Sequence, residues 1–242
     1  MLKNDPGSEP ERGAKKRKPF IIPGYIGMTV LLMSVLLMVV FPSQVSQIPD
    51  GFFTPIIAFE FIETSEEVHA FFGTAGSQDY EETLRKMNIG NQLDFIYLAL
   101  YGIFLIAFSF QMYTLSGNRW YLLGIVTSLV VMAGDILENV QLLGITSRLS
   151  TGDFDQQLAL LQIFTWLKWG GLVVTFLILA PFVRTMNRIG KATSVVILLS
   201  LVLGITALMN RGVATELFSV SVAAVFLLMI ISCFIYTGKK PV

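Results

Sequence analysis

The sequence predicts an all-α integral membrane protein, a six-transmembrane-helix bundle with short outer-face helices between helices 1 and 2. Three observations carry this. Of 242 residues, 54% are hydrophobic and only 14% are charged, where a soluble domain holds about a quarter charged residues. The mean hydropathy is +0.68. The apolar residues are also gathered into long runs, several of which meet the roughly 20 helical residues that a hydrocarbon core of about 30 Å requires.

The first run, "FIIPGYIGMTVLLMSVLLMVVF" over 20–41, is longer than the apolar part of a signal peptide and has no small-x-small cleavage site after it, so it reads as an uncleaved first span. Ahead of it, residues 1–19 are polar and end in Lys15, Lys16, Arg17 and Lys18, which predicts a disordered basic tail. Five further spans are expected near 92–114, 119–145, 158–183, 193–210 and 213–237, so that 92–237 forms a five-helix bundle and 238–242 a short tail. Six spans put both termini on one side. With the N-terminus inside, the inner segments hold the basic cluster, Arg119, Arg184, Arg188, Lys191, Lys239 and Lys240. The outer segments hold only Arg85, Lys86, Arg148 and Arg211. The positive-inside bias therefore predicts cytoplasmic termini.

The segment 42–91 is long and acidic, yet it carries helix signals. Pro55 suits a first helical position, "TSEE" at 64–67 is a capping box, and Gly73 can end the helix that follows. Helices are expected near 55–63, 65–72 and 79–90, held against the outer membrane surface, with the aromatics of 52–72 as interfacial anchors. His69 is expected to be solvated, and Glu216 to be an exposed or interfacial acid at a helix start.

Ionisable residues inside the spans are the main functional signal, because each costs roughly 2.5–3.5 kcal/mol to insert and so is expected to face protein and to pair. "MAGDILENVQLLG" at 132–144 holds Asp135, Glu138 and Asn139, with Gly124 and Ser128 on the same helical face. By helix rise, Asp135 lies about 22 Å and Glu138 about 27 Å above the inner boundary, and Lys168 about 15 Å below the outer one. Asp94 begins the second span, sharing a face with Tyr97 and Tyr101. Thr165 and Thr175 share a face with Lys168, which Trp166 and Trp169 flank. The expected cluster is thus Asp94, Tyr97, Asp135, Glu138, Asn139 and Lys168, with Lys168–Asp135 as its ion pair. Three carboxylates against one ammonium call for a proton, a cation or a cationic ligand group.

Two readings of that cluster stand side by side: a ligand or proton site open to the outer side, and a polar network that only fixes helix register. One cysteine and one histidine leave no disulfide framework and no zinc set. No nucleophile–base pair is visible, the sequence names no cofactor, and no nucleic-acid partner is expected. The ten methionines read as packing filler. Absence of matching halves lowers the prospect of an inverted-repeat transporter. Binding of an amphipathic or lipid-like molecule in an outer-half cavity, or a purely structural role as a membrane subunit, therefore ranks above proton-coupled transport, and transport above catalysis.

The segments "IIAFEFIET", "NQLDFIYLALYG", "GDILENVQLL" and "TWLKWGGL", spread over about 55–180, together resemble a group of bacterial multi-span inner-membrane proteins to which no activity is attached. The resemblance implies a bacterial inner-membrane protein whose shared acids and lysine fall on Asp94, Asp135, Glu138 and Lys168.

Overall fold

The computed structural model describes residues 18–238, so the expected tails at 1–19 and 238–242 lie almost wholly outside the described residues. Eight α-helices follow in chain order: α1 (Ile21–Val40), α2 (Pro55–Glu60), α3 (Ser65–Phe72), α4 (Gln78–Ser116), α5 (Leu122–Ser147), α6 (Asp155–Met186), α7 (Arg188–Met209) and α8 (Val213–Ile235). A 3₁₀ turn at Arg119–Tyr121 leads into α5. Six of these helices, α1 and α4–α8, are long and apolar enough to cross a membrane, so the chain is a polytopic membrane protein. Side chains such as Leu32, Val35, Leu198, Val202 and Leu208 stay exposed along the bundle, as lipid-facing residues must.

Neighbouring contacts close the six long helices into a ring: α1 meets α4, each of α4 to α7 meets its successor, and α8 returns to α1. Short connections between consecutive spans favour this order. "Outer" below denotes the side that carries α2 and α3.

The local signals of 42–91 act much as their chemistry requires. Pro55 opens α2. Thr64 caps α3, its hydroxyl oxygen accepting from the Glu67 N–H at 3.2 Å, while the Glu67 carboxylate accepts the Glu63 N–H at 2.9 Å. Ser77 caps α4 by accepting from the Tyr80 N–H.

Three expectations are corrected here. Residues 79–90 do not form a separate surface helix: they are the outer part of α4, whose 39 residues span about 58 Å at the α-helical rise. Nothing between Asp79 and Gln92 breaks the helix, and Thr83, Met87 and Gly90 bury one stripe of it. Second, the aromatics of 52–72 are mostly not interfacial anchors. Phe52, Phe59, Phe61, Phe71 and Phe72 are buried in a second apolar core with Met87, Leu142, Ile145, Phe154 and Leu161, and Phe59 stacks on Phe71 with ring centroids 5.2 Å apart. Only Phe53 among them points outward. Third, Glu216 opens α8 as expected but is 1% exposed. Its Oε1 accepts the N–H groups of Phe53 at 2.9 Å and Thr54 at 2.7 Å, and its Oε2 accepts the Thr54 hydroxyl at 2.8 Å. His69 is exposed, as expected.

The outer segment is therefore a folded cap seated on the ends of α5, α6 and α8. Arg211, in the turn before α8, fastens it again. Its guanidinium donates to the Phe61 carbonyl at 3.0 Å and to Glu67 Oε2 at 3.1 Å, pairs closely with Glu67 Oε1, and lies 3.3 Å from Glu63 Oε2.

Candidate functional site

The polar residues foreseen on three separate spans converge in the outer half of the bundle. Gly134 makes the closest approach of α5 to α6 possible: a Cβ there would stand 3.0 Å from the backbone nitrogen of Lys168. That contact sets Lys168 level with Asp135 and just below Glu138. Side chains on a helix lean toward its N-terminus. On α6 this direction is outward, so the Lys168 stem rises; on α5 it is inward, so the two acids descend.

Glu138, rather than Asp135, is consequently the nearest partner of Lys168, its Oε2 in close contact with Nζ. The expected pair is the longest of three, with Asp135 Oδ1 3.6 Å away. Between them comes a partner that the sequence reading left out, Glu60 Oε2 at 3.0 Å. Glu60 ends α2 and is buried; it also accepts the Trp169 indole N–H at 3.0 Å. Burial holds its carboxyl above the usual carboxylate range, against the downward pull of the Lys168 ammonium. The ammonium further lies 5.1 Å from the centre of the Trp169 ring, a cation–π distance.

The remaining groups are arranged around this centre. Tyr101 donates its phenolic O–H to Asp135 Oδ2 in a short contact. Asn139 donates to Asp94 Oδ2 at 2.6 Å. Thr165 Oγ1 lies 2.6 Å from Glu138 Oε1 and 3.1 Å from the Glu60 carbonyl. This geometry serves both protonation states of Glu138: an ionised carboxylate accepts a hydrogen bond from the Thr165 hydroxyl, and a protonated one donates to Thr165, whose own O–H then donates to the Glu60 carbonyl. Ser34 on α1 donates to the Tyr97 oxygen at 3.3 Å.

All six candidate residues belong to this one constellation, but they divide in two. Glu138 and Asn139 are enclosed by protein. Asp94, Tyr97, Asp135 and Lys168 line a cavity of about 380 Å³, together with Glu60, Tyr101 and Trp169. The rest of the wall is largely apolar: Leu37, Met38, Phe41, Pro55, Ile56, Ile57, Leu172, Val222 and Phe226 are among its members. The α2 residues form its outer roof. Beneath it, Phe104, Leu105, Phe108, Phe176 and Leu179 are fully buried and close the inner half of the bundle. The volume falls within the range of small-molecule sites, which are apolar with a few convergent polar groups.

Glu60 and Tyr101 were the missed members. Tyr101 shared the face of Asp94 and Tyr97, one turn further on, so periodicity could have included it. Glu60 had a signal too: an acid inside "PIIAFEFI", with Phe59 and Phe61 on either side. No group of three or more His, Cys, Asp or Glu residues able to hold a metal ion occurs among the described residues.

Comparison with protein-family models, curated proteins and solved structures finds no match.

Proposed function

We propose that this protein binds an amphipathic, lipid-like molecule in the outer-half cavity. The single observation behind the reading is the cavity itself, with apolar walls and one polar end formed by Asp94, Tyr97, Tyr101, Asp135, Lys168 and Glu60. A purely structural polar network needs no such space, and helix-fixing clusters are best served by full enclosure. A proton-coupled transporter would need a polar route onward from the cluster. The inner half is instead filled by Phe104, Phe108 and Phe176, which favours binding over transport. The hydroxyl–carboxylate pair Thr165–Glu138 is enclosed by protein rather than open to the cavity, which gives catalysis less support than binding. The resemblance to bacterial multi-span proteins and the distribution of Lys and Arg support an inner-membrane location with cytoplasmic termini.

The test is chemical analysis of what the protein retains. Wild type and Ser219→Trp, which fills the cavity from α8, are purified in parallel in a mild nonionic detergent, and their organic extracts are compared by mass spectrometry. Folding of the variant is verified by its thermal midpoint. An amphipathic compound enriched with wild type over Ser219→Trp supports the reading. Identical extracts, with a dry cavity in an experimental map, would leave the structural role in its place.

A further inference from the structure

The polar end of the cavity has a sign. Four carboxyl groups, Glu60, Asp94, Asp135 and Glu138, surround one ammonium, that of Lys168. The ammonium is already committed, in contact with Glu138, 3.0 Å from Glu60 and 3.6 Å from Asp135. It has no direction left in which to hold an anion. Asp94, by contrast, has only the neutral Asn139 amide as donor. Asp135 lines the cavity; its Oδ1 is buried and accepts no hydrogen bond, with the Lys168 ammonium 3.6 Å away. Tyr97, Tyr101, Trp169 and Phe226 add aromatic rings to the same wall, and the faces of such rings attract organic cations.

The cavity also has a side opening. At the inner end, α1 and α8 are drawn tight by glycine: a Cβ on Gly27 would stand 2.5 Å from Ile230 Cγ1, and one on Gly24 would stand 3.0 Å from Cys233 Cβ. Towards the outer end, residues of both helices line the cavity, among them Ser34 and Leu37 on α1 and Ser219 and Val222 on α8. Met38 on α1, 81% exposed, and Ala223 on α8, also exposed, both line it. The cavity therefore reaches the lipid-facing surface between α1 and α8.

Building on the ligand-binding reading above, we infer that the cavity takes a cationic amphiphile, its ammonium between Asp94 and Asp135 and its hydrocarbon chain leaving sideways between α1 and α8 into the outer leaflet. A bare metal ion fits less well, because the described residues supply no metal-holding group. A proton alone needs none of the volume. An anionic headgroup would meet uncompensated carboxylates where the ammonium is already shared.

The full chain in phosphatidylcholine nanodiscs is titrated with three probes of one chain length: dodecylammonium, dodecanoate and dodecanol. The readout is the thermal midpoint against probe concentration, which yields an apparent Kd. Dodecylammonium should raise the midpoint saturably, whereas the other two should not. Asp94→Asn should weaken that binding by about tenfold or more, the scale of one charge-assisted hydrogen bond. Ala223→Trp, which obstructs the opening and leaves every carboxylate in place, should weaken it too and remains decisive if Asp94→Asn does not fold. Equal or tighter binding of dodecanoate or dodecanol would keep the ligand site but overturn the cationic assignment. Unchanged dodecylammonium binding in either folded variant would overturn the placement. If no probe gives saturable stabilisation, the ligand-binding reading falls together with this one.

Discussion

Lys168 Nζ lies 3.0 Å from Glu60 Oε2, so a span and a short helix of the outer cap share one ion pair. The relationship makes the cluster more than an intramembrane feature. The same lysine that neutralises Glu138 between α5 and α6 also holds down the end of α2, which roofs the cavity. Charge balance inside the bundle and closure of its outer face are thereby coupled.

The first prediction follows from that sharing. Lys168→Met strands two or three carboxylates in surroundings of low dielectric and should lower stability by about 3 kcal/mol. Adding Glu138→Gln should restore much of the loss, because it removes the closest carboxylate along with its partner. Adding Asp135→Asn instead should restore less, since Asp135 is the most distant of the three and keeps its bond from Tyr101. Denaturation of the single and double variants in detergent measures the coupling. Additive effects of Lys168→Met and Glu138→Gln would mean that the pair is not formed.

The second concerns Glu216, whose carboxylate accepts from two backbone N–H groups and one hydroxyl of the Phe53–Thr54 strap. Glu216→Ala leaves those donors without partners and should cost about 2 kcal/mol. The loss should be local. Amide hydrogen exchange should accelerate over 52–58 and leave α4 to α6 unchanged. Protection that is equal to wild type across the strap would show that the carboxylate does not hold it.

How far the sequence could be read depends on which interactions are local. Hydropathy runs and caps depend on near neighbours, so all six spans and the α3 capping box were legible. The cluster was legible because charges within apolar runs stand out individually. Its pairing was not: Lys168 lies nearest to Glu138 because side chains lean toward the N-terminus of each helix, and the helices are antiparallel. Counting rise from an assumed boundary misses that lean. Glu60 and Glu216 were missed for another reason. Glu216 follows a polar turn where an acid is normally solvated, and only tertiary burial distinguishes it; Glu60 lies in a short apolar segment outside the spans, and its pairing with Lys168 depends on tertiary packing. The aromatics of 52–72 present the same ambiguity, since an interfacial belt and a small core use the same residues.

The third prediction is a pH dependence in the outer cap. Burial alone would raise the Glu67 carboxyl, but hydrogen bonding and charge from Arg211, with the Glu63 N–H, hold it below its ordinary 4.5. A carboxyl depressed in the folded state contributes stability that is complete above its unfolded value and is lost as pH falls through its folded one. Wild type should therefore exceed Glu67→Gln in stability by a constant margin from about pH 5.5 upward, and the margin should shrink below about pH 4.5. Thermal midpoints across that range measure it. A margin that stays flat down to about pH 3 would mean that Glu67 is not held ionised by Arg211.

The fourth concerns which way the bundle faces. The cap and the turn between α6 and α7 lie at opposite ends of the long helices, and the bias of Lys and Arg predicts that the turn is inside. Cys233 is buried, so Cys233→Ala provides a background in which introduced thiols report alone. In it, Ala75→Cys, in the exposed connection before α4, should react with a membrane-impermeant maleimide added to intact cells. Thr185→Cys, exposed near the end of α6, should react only after the membrane is permeabilised. Both positions are exposed and lie in polar stretches at helix ends, so unequal labelling would reflect sidedness and not burial. The opposite pattern would invert the orientation, and with it the leaflet from which a ligand reaches the opening between α1 and α8. Labelling of both sites in intact cells would contradict an arrangement in which the cap and the α6–α7 turn lie on opposite sides of the membrane.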